Sequence, residues 1–396
     1  MKLVALCFAL GTLASSQCKS EAPPVMSVGS CPQFPPKPSD QKGGAYASTS
    51  FGGTKPHAPP KQHLDIPSGP LDSVRIGLER TGCFGTCPSY RVELHGDGAV
   101  SFHGEGYVIV PGDHDTRISP EAIQCLLSDF RAADFWSLDK EYVAGMTDLP
   151  TYKVSLTIGG KTKELTDYAG QAVGMPPVIT ALEQAIDEAA STDTWIAGNS
   201  KTVAALEAEL FDFHGRTAAQ LLAVAVAQDA PDAVVYGLLD HGVPIDGASN
   251  GQFDDGGITP IEAAAMYGRV ALVNRLIKTG AFEKGGKALI NATLRASVAS
   301  QRADMVAEIL KYRPDVNSRN KSGDTALALI FTGAHPHYGD DGAPDEDVAI
   351  IKMLGKAGAD PNLRNSEQED LLELAYSQEK KDALVSIGAK RTTPAH

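Results

Sequence analysis

The run Thr259-Pro260-Ile261-Glu262-Ala263-Ala264 decides the fold of the C-terminal half. Thr259 offers a hydroxyl to cap a helix and Pro260 presets the first helical φ. The paired alanines let a neighbouring helix approach closely. Gly268 ends that helix, Val273, Leu276 and Ile277 give a second helix one apolar face, and Gly280-Ala281 closes it. The arrangement then recurs. Ile261, Leu294 and Leu327 are equally spaced, Val306, Ile309 and Leu310 repeat the second face, and Thr325-Ala326-Leu327 restarts the first helix. Residues 223–242, with Val235, Leu238 and Leu239, read as an earlier copy, and residues 371–388, with Leu384 and Val385, as a shortened last one. One such hairpin cannot bury its apolar face alone, so a fixed period implies a stack of neighbours.

The spacing of Ile261, Leu294 and Leu327, the Thr-Pro start and the ending Gly358-Ala359-Asp360-Pro361-Asn362 resemble the ankyrin repeat, in about five copies over residues 200–392. Three departures stand out. Glu262 replaces the histidine of the family pattern, and the third copy lacks Thr-Pro. The interval from Gly280 to Gly358 exceeds two periods, which places an insertion at residues 333–347 between the helices of the fourth copy. A second excess lies at residues 249–257. The resemblance implies an all-α solenoid that binds another protein through its inter-repeat loops and inner helices.

Upstream the period changes from helix to strand. Val74-Arg75-Ile76-Gly77-Leu78, Tyr90-Arg91-Val92-Glu93-Leu94 and Val100-Ser101-Phe102 alternate, with His95-Gly96-Asp97-Gly98 as a tight hairpin turn. Residues 107–110 extend the third strand or start a fourth. Ser119-Pro120-Glu121 opens a helix with the face Ile123, Leu126, Leu127 and Phe130. Two more strands, residues 152–158 and 163–168, flank Gly159-Gly160, and Pro177 begins a closing helix with Ile179, Leu182 and Ile186 on one face. The expectation for residues 71–190 is therefore an α+β domain, an antiparallel sheet carrying two helices.

That segment contains Arg80-Thr81-Gly82-Cys83-Phe84-Gly85-Thr86-Cys87-Pro88-Ser89-Tyr90, together with Phe135-Trp136, Thr147-Asp148-Leu149-Pro150 and Asp167-Tyr168. These motifs resemble an uncharacterised family of exported bacterial domains, which comes with no established activity. Cys83 and Cys87 sit on the turn between the first two strands. A local disulfide suits an oxidising compartment. Thioredoxin-type redox sites use a shorter spacing at a helix start, and a tetrahedral metal site wants four ligands where no second pair sits at ligand spacing. Cys125, on a helix, reads as a buried thiol or a partner for Cys31.

Residues 1–17 read as a secretory signal peptide: Lys2, an apolar run over residues 3–13, and Ala14-Ser15-Ser16 as a small-residue cleavage site. Cleavage before Cys18 would resemble a bacterial lipoprotein with Cys18 lipidated, although Gln17 is larger than a lipobox prefers; plain secretion is the other reading. Residues 18–70, rich in proline, glycine and serine, read as a disordered spacer. The expected location is the periplasm, a lipid-anchored membrane face, or outside the cell.

A formal net charge of −14 argues against nucleic acid, whose phosphates need a clustered basic surface. No further stretch is apolar enough to span a membrane. The insertion carries His335, His337, Asp340, Asp341, Asp345, Glu346 and Asp347 without lysine or arginine. It reads as a solvated acidic loop and as a candidate docking loop for a basic protein. His95, His103 and His114 read as solvated turn residues. No nucleophile elbow, phosphate-cradling loop or zinc-binding helix motif is present, so neither cofactor nor metal is expected. The sequence thus points to a non-enzymatic, exported interaction protein. The alternative is a thiol-redox or ligand-binding front domain for which the repeats recruit the partner.

Overall fold

The computed structural model describes residues 31–34, 63–249, 257–332 and 346–390. Strands β1 (Arg75–Arg80), β2 (Ser89–His95), β3 (Ala99–Gly106) and β4 (Gly112–Arg117) form an antiparallel meander. The β2–β3 turn needs glycine twice. Gly98 has φ +85°, and a Cβ on Gly96 would lie 1.6 Å from the Leu71 carbonyl oxygen. Helix α1 (Pro120–Ala132) follows, with Ser119 accepting the Ala122 N–H as its N-cap. After β5 (Glu141–Val143), the hairpin β6 (Tyr152–Ile158) and β7 (Lys161–Tyr168) leads into α2 (Pro177–Ala190).

The seven strands run β4-β3-β2-β1-β6-β7-β5. This corrects the expected antiparallel sheet in two ways. It is larger, and it is mixed, because β5 pairs in parallel with β7. Residues 107–110 are also not a strand. Their N–H groups turn away, Ile109 to the Ile196 carbonyl and Val110 to the Trp195 carbonyl, both at 2.9 Å. The fourth strand comes later and is polar. Ile76, Leu78, Leu94, Val154, Leu156 and Leu165 fill the core under Ile123, Phe130, Ile179 and Leu182 of the two helices.

The folded unit reaches past the expected boundary at Leu71. Cys31 is disulfide-bonded to Cys125 of α1, Phe34 packs on the core, and Leu64 donates its N–H to the Ser137 hydroxyl at 2.7 Å. The chain ahead of the domain is therefore stapled to it at Cys31.

A short α3 (Asp193–Ile196) leads into α4 (Thr202–Ala208) and five helical hairpins among the described residues. They pair α5 (Arg216–Ala227) with α6 (Asp232–Asp240), α7 (Pro260–Met266) with α8 (Val270–Lys278), and α9 (Ala281–Ala299, kinked at Gly286) with α10 (Ala303–Leu310). The last two pair α11 (Ala326–Thr332) with α12 (Glu346–Lys356) and α13 (Leu371–Leu374) with α14 (Gln378–Ser386). First helices stack in one column, α5 on α7 on α9 on α11 on α13, and α10, α12 and α14 stack in another. Thr259 and Glu262 form a reciprocal capping box at the start of α7. Ile261, Leu294 and Leu327, one period apart, are each buried at the same place in successive hairpins.

Candidate functional site

Four strands bring one cross-strand row of polar residues to the end of the front sheet. Arg80 of β1 lies opposite Tyr90 of β2 and Tyr152 of β6, and Tyr152 lies opposite Asp167 of β7. Glu183 and Asp187, one helical turn apart on α2, are laid over that row by the same face that buries Ile179, Leu182 and Ile186. The Tyr90 hydroxyl donates to both Asp187 oxygens, at 2.7 and 2.9 Å, and Thr192 donates to Asp187 at 2.7 Å. Asp167 takes the Gly170 N–H at 2.6 Å and shares a carboxyl–carboxyl hydrogen bond with Glu183.

The electrostatics follow from burial. Glu183 is 5% exposed, and desolvation first, then the charges of Asp167 and Asp187, hold its pKa well above the ordinary carboxyl range. Desolvation pushes Asp187 up to about 6, against the hydrogen bonds from Tyr90 and Thr192, and raises Asp167 as well. The Arg80 guanidinium lies over the Tyr152 ring, 5.2 Å from its centroid. Arg80 Nε and Glu183 Oε1 are buried without a hydrogen-bond partner among the described residues. Such orphans are costly, because a buried polar atom without a partner bears its full desolvation penalty.

The cysteine turn caps this row. Cys83 and Cys87 form a disulfide with Cα atoms 5.5 Å apart. Phe84, between them and 89% exposed, is fixed by its N–H bond to the Asp148 carbonyl at 3.3 Å, and Thr81 exchanges bonds with Thr151. The motifs read separately in the sequence, around Cys83, Asp148 and Asp167, thus meet at one end of the sheet. Sequence reasoning registers the apolar face of α2 but misses Glu183 and Asp187. Their spacing of four on that face is the available signal.

His114 is not a solvated turn residue: it points into the core from β4. Its ring stacks on Trp195 with centroids 4.0 Å apart, and Nδ1 meets Glu209 at 2.8 Å. This contact joins the sheet to the helical half. His103 pairs with Asp113, and His95 with Glu93, on the solvent side.

Cys18, His335, His337, Asp340, Asp341 and Asp345 lie outside the described residues. Glu346 and Asp347 are not part of a loop but open α12. Glu346 accepts the Ala303 N–H at 2.7 Å and Asp347 pairs with Lys380 at 2.5 Å, so both stitch hairpins together. The excess at residues 333–345 joins two helices of one hairpin, whereas that at residues 250–256 joins successive hairpins. The described chain therefore enters the two excesses from opposite ends of the hairpins. On the inter-hairpin side runs a ladder. Asn317 takes the Asp360 N–H at 2.8 Å and donates to the Gly358 carbonyl, and Asn362 repeats this with Lys390 and Gly388.

Residues 74–190 match the family model described as "Domain of unknown function (DUF6438)". The polar row and the cysteine turn all lie within that domain. No curated protein matches the chain. Among solved structures, the ankyrin repeat domain of Bcl-3, described as a unique member of the IkappaB protein family, is similar at 17% identity. The likeness covers 47% of this chain and 91% of that chain, with a TM-score of 0.31. Among the described residues no helix is long and apolar enough to cross a membrane, and no group of three or more His, Cys, Asp or Glu side chains is placed to hold a metal ion.

Proposed function

We propose that this chain is an exported, non-enzymatic interaction protein whose helical half is an ankyrin-repeat stack gripping a protein partner. The observation that carries the reading is the coincidence of period and packing. Ile261, Leu294 and Leu327 recur at one fixed interval and are buried alike in one column of stacked helices. Stacked repeats of this kind offer extended surfaces rather than a single pocket. The net charge of −14 and the acidic insertion favour a partner with a basic patch, with association weakened by salt. In this reading the signal peptide exports the chain, with Cys18 as the lipid attachment point or, failing that, plain secretion into the periplasm or beyond.

The test is a deletion of residues 333–345 that stops short of Glu346 and Asp347, because those two carboxylates hold α12 against its neighbours. The helical circular-dichroism signal should remain nearly unchanged, while partner capture weakens and its salt dependence flattens. Capture equal to wild type across a salt series would remove the insertion from the binding surface.

A further inference from the structure

Asp187 ties three elements together. It holds Tyr90 of β2, sits on α2, and accepts the Thr192 hydroxyl where α2 hands over to α3. Thr192 also takes the Trp195 N–H on its carbonyl at 3.0 Å. Trp195, 2% exposed, is the plug between the two halves: its carbonyl holds Val110, its ring stacks on His114, and His114 reaches Glu209 beyond α4. A continuous path of contacts therefore runs from the buried carboxyls to the seam with the helical stack.

We propose that Asp167, Glu183 and Asp187 form a pH-sensitive latch, which seats α2 and Trp195 against the sheet while Glu183 keeps its proton and loosens that seam when the proton leaves. Two carboxyls in direct hydrogen-bond contact need one proton between them. Losing it to solvent leaves two anions side by side under α2. The charged and titratable groups that face the cluster are Arg80 of β1, Tyr90 of β2, Tyr152 of β6 and Asp193 of α3. One guanidinium stands against four carboxyls, so deprotonation is not neutralised locally. Nor does Glu183 Oε1 have a donor waiting for it among the described residues. The helix that carries both Glu183 and Asp187 must shift or admit water, and α3 follows because Thr192 hangs from Asp187. The latch is distinct from the partner-binding reading, and requires only that the two halves meet at Trp195.

The chain contains two tryptophans, Trp136 and Trp195, so a Trp136→Phe background isolates the seam. The disulfide-intact chain in this background is titrated from acid to alkaline pH while Trp195 emission is read. The expected result is a red shift as pH rises well above the ordinary carboxyl range, abolished by Glu183→Gln and retained by His114→Asn. In the unmutated chain, the infrared stretch of a protonated carboxyl should vanish over the same range as the emission change. A Glu183→Gln protein that titrates like its parent, a parent with no transition, or no protonated-carboxyl band on the acid side of that transition would each overturn the latch.

Discussion

Glu183 and Arg269 each take a charge-bearing group into a packed interface, and the two halves of the molecule handle them in opposite ways. Arg269 lies between α7 and α8 with its side chain 14% exposed, and the preceding hairpin supplies its partners: the Ala230 carbonyl at 3.2 Å, Asp229 at 3.5 Å, and Asp232. Glu183 receives a drier site and another carboxyl for company. A stack can solve its charge problems between neighbours, because each hairpin presents the same edge to the next. A sheet with helices packed on it brings together groups far apart in the chain, such as Tyr90 and Asp187, and at this one corner carboxyls gather. The stack should therefore respond to change locally, and the front domain as a whole.

The largest expected effect breaks that comparison directly. Phe130, fully buried and edge-on to Phe135 at 4.8 Å, supports the whole front core. Phe130→Ala should cost about 3–5 kcal/mol and unfold the front domain in one transition. Leu294→Ala should cost about 2–5 kcal/mol, yet split the melting of the helical half into separate steps around α9. Calorimetry of the two variants reads this. A single unchanged transition for Leu294→Ala would contradict the nearest-neighbour view.

Next in size is the staple at Cys31. The Cys31–Cys125 bond closes a chain separation of 94 residues. In the chain-entropy account Cys31→Ser should lower front-domain stability by about 2–4 kcal/mol, read by denaturant titration, without changing the helical half. The short Cys83–Cys87 loop, spanning four positions, should matter less.

The smallest effect is the pH dependence. Asp187 and its neighbours have folded-state pKa values above their ordinary ones, 3.8 rising to about 6 for Asp187. The stabilisation they give is full below the unfolded value and is lost as pH rises through the folded one. The front domain should thus melt at a higher temperature near pH 5 than near pH 8. His241, raised by its bonds to Gly237 and Glu207, acts in the same direction in the stack, but its side chain is partly open to solvent and its contribution should be small.

The two halves also differ in how far they can be read from the sequence. Local signals carry over well: the Ser119 and Thr259 caps, the α1 and α2 faces, and the repeat register all depend on neighbours in the chain. β4 escapes because its residues, Gly112 to Arg117, include no apolar side chain, and its inward position is taken by His114, held by a ring from another element. β5 is three residues long and gains its identity only by pairing with β7. The polar row stays hidden for the same reason, since Arg80, Tyr90, Tyr152 and Asp167 become neighbours only through register. The cysteine pair at spacing four is legible because a turn of that length brings its ends within bonding reach.

The proposal that the helical half meets a protein partner can be tested by site-specific photo-crosslinking in the cells that make the protein. One probe series replaces Met266 and Leu329, partly exposed on the first-helix column, and the other replaces Glu93 and Ser101 on the solvent face of the front sheet. The account predicts a covalent adduct with one and the same protein from the stack positions, weakened by salt, and none from the sheet. Adducts from the sheet face alone would contradict it.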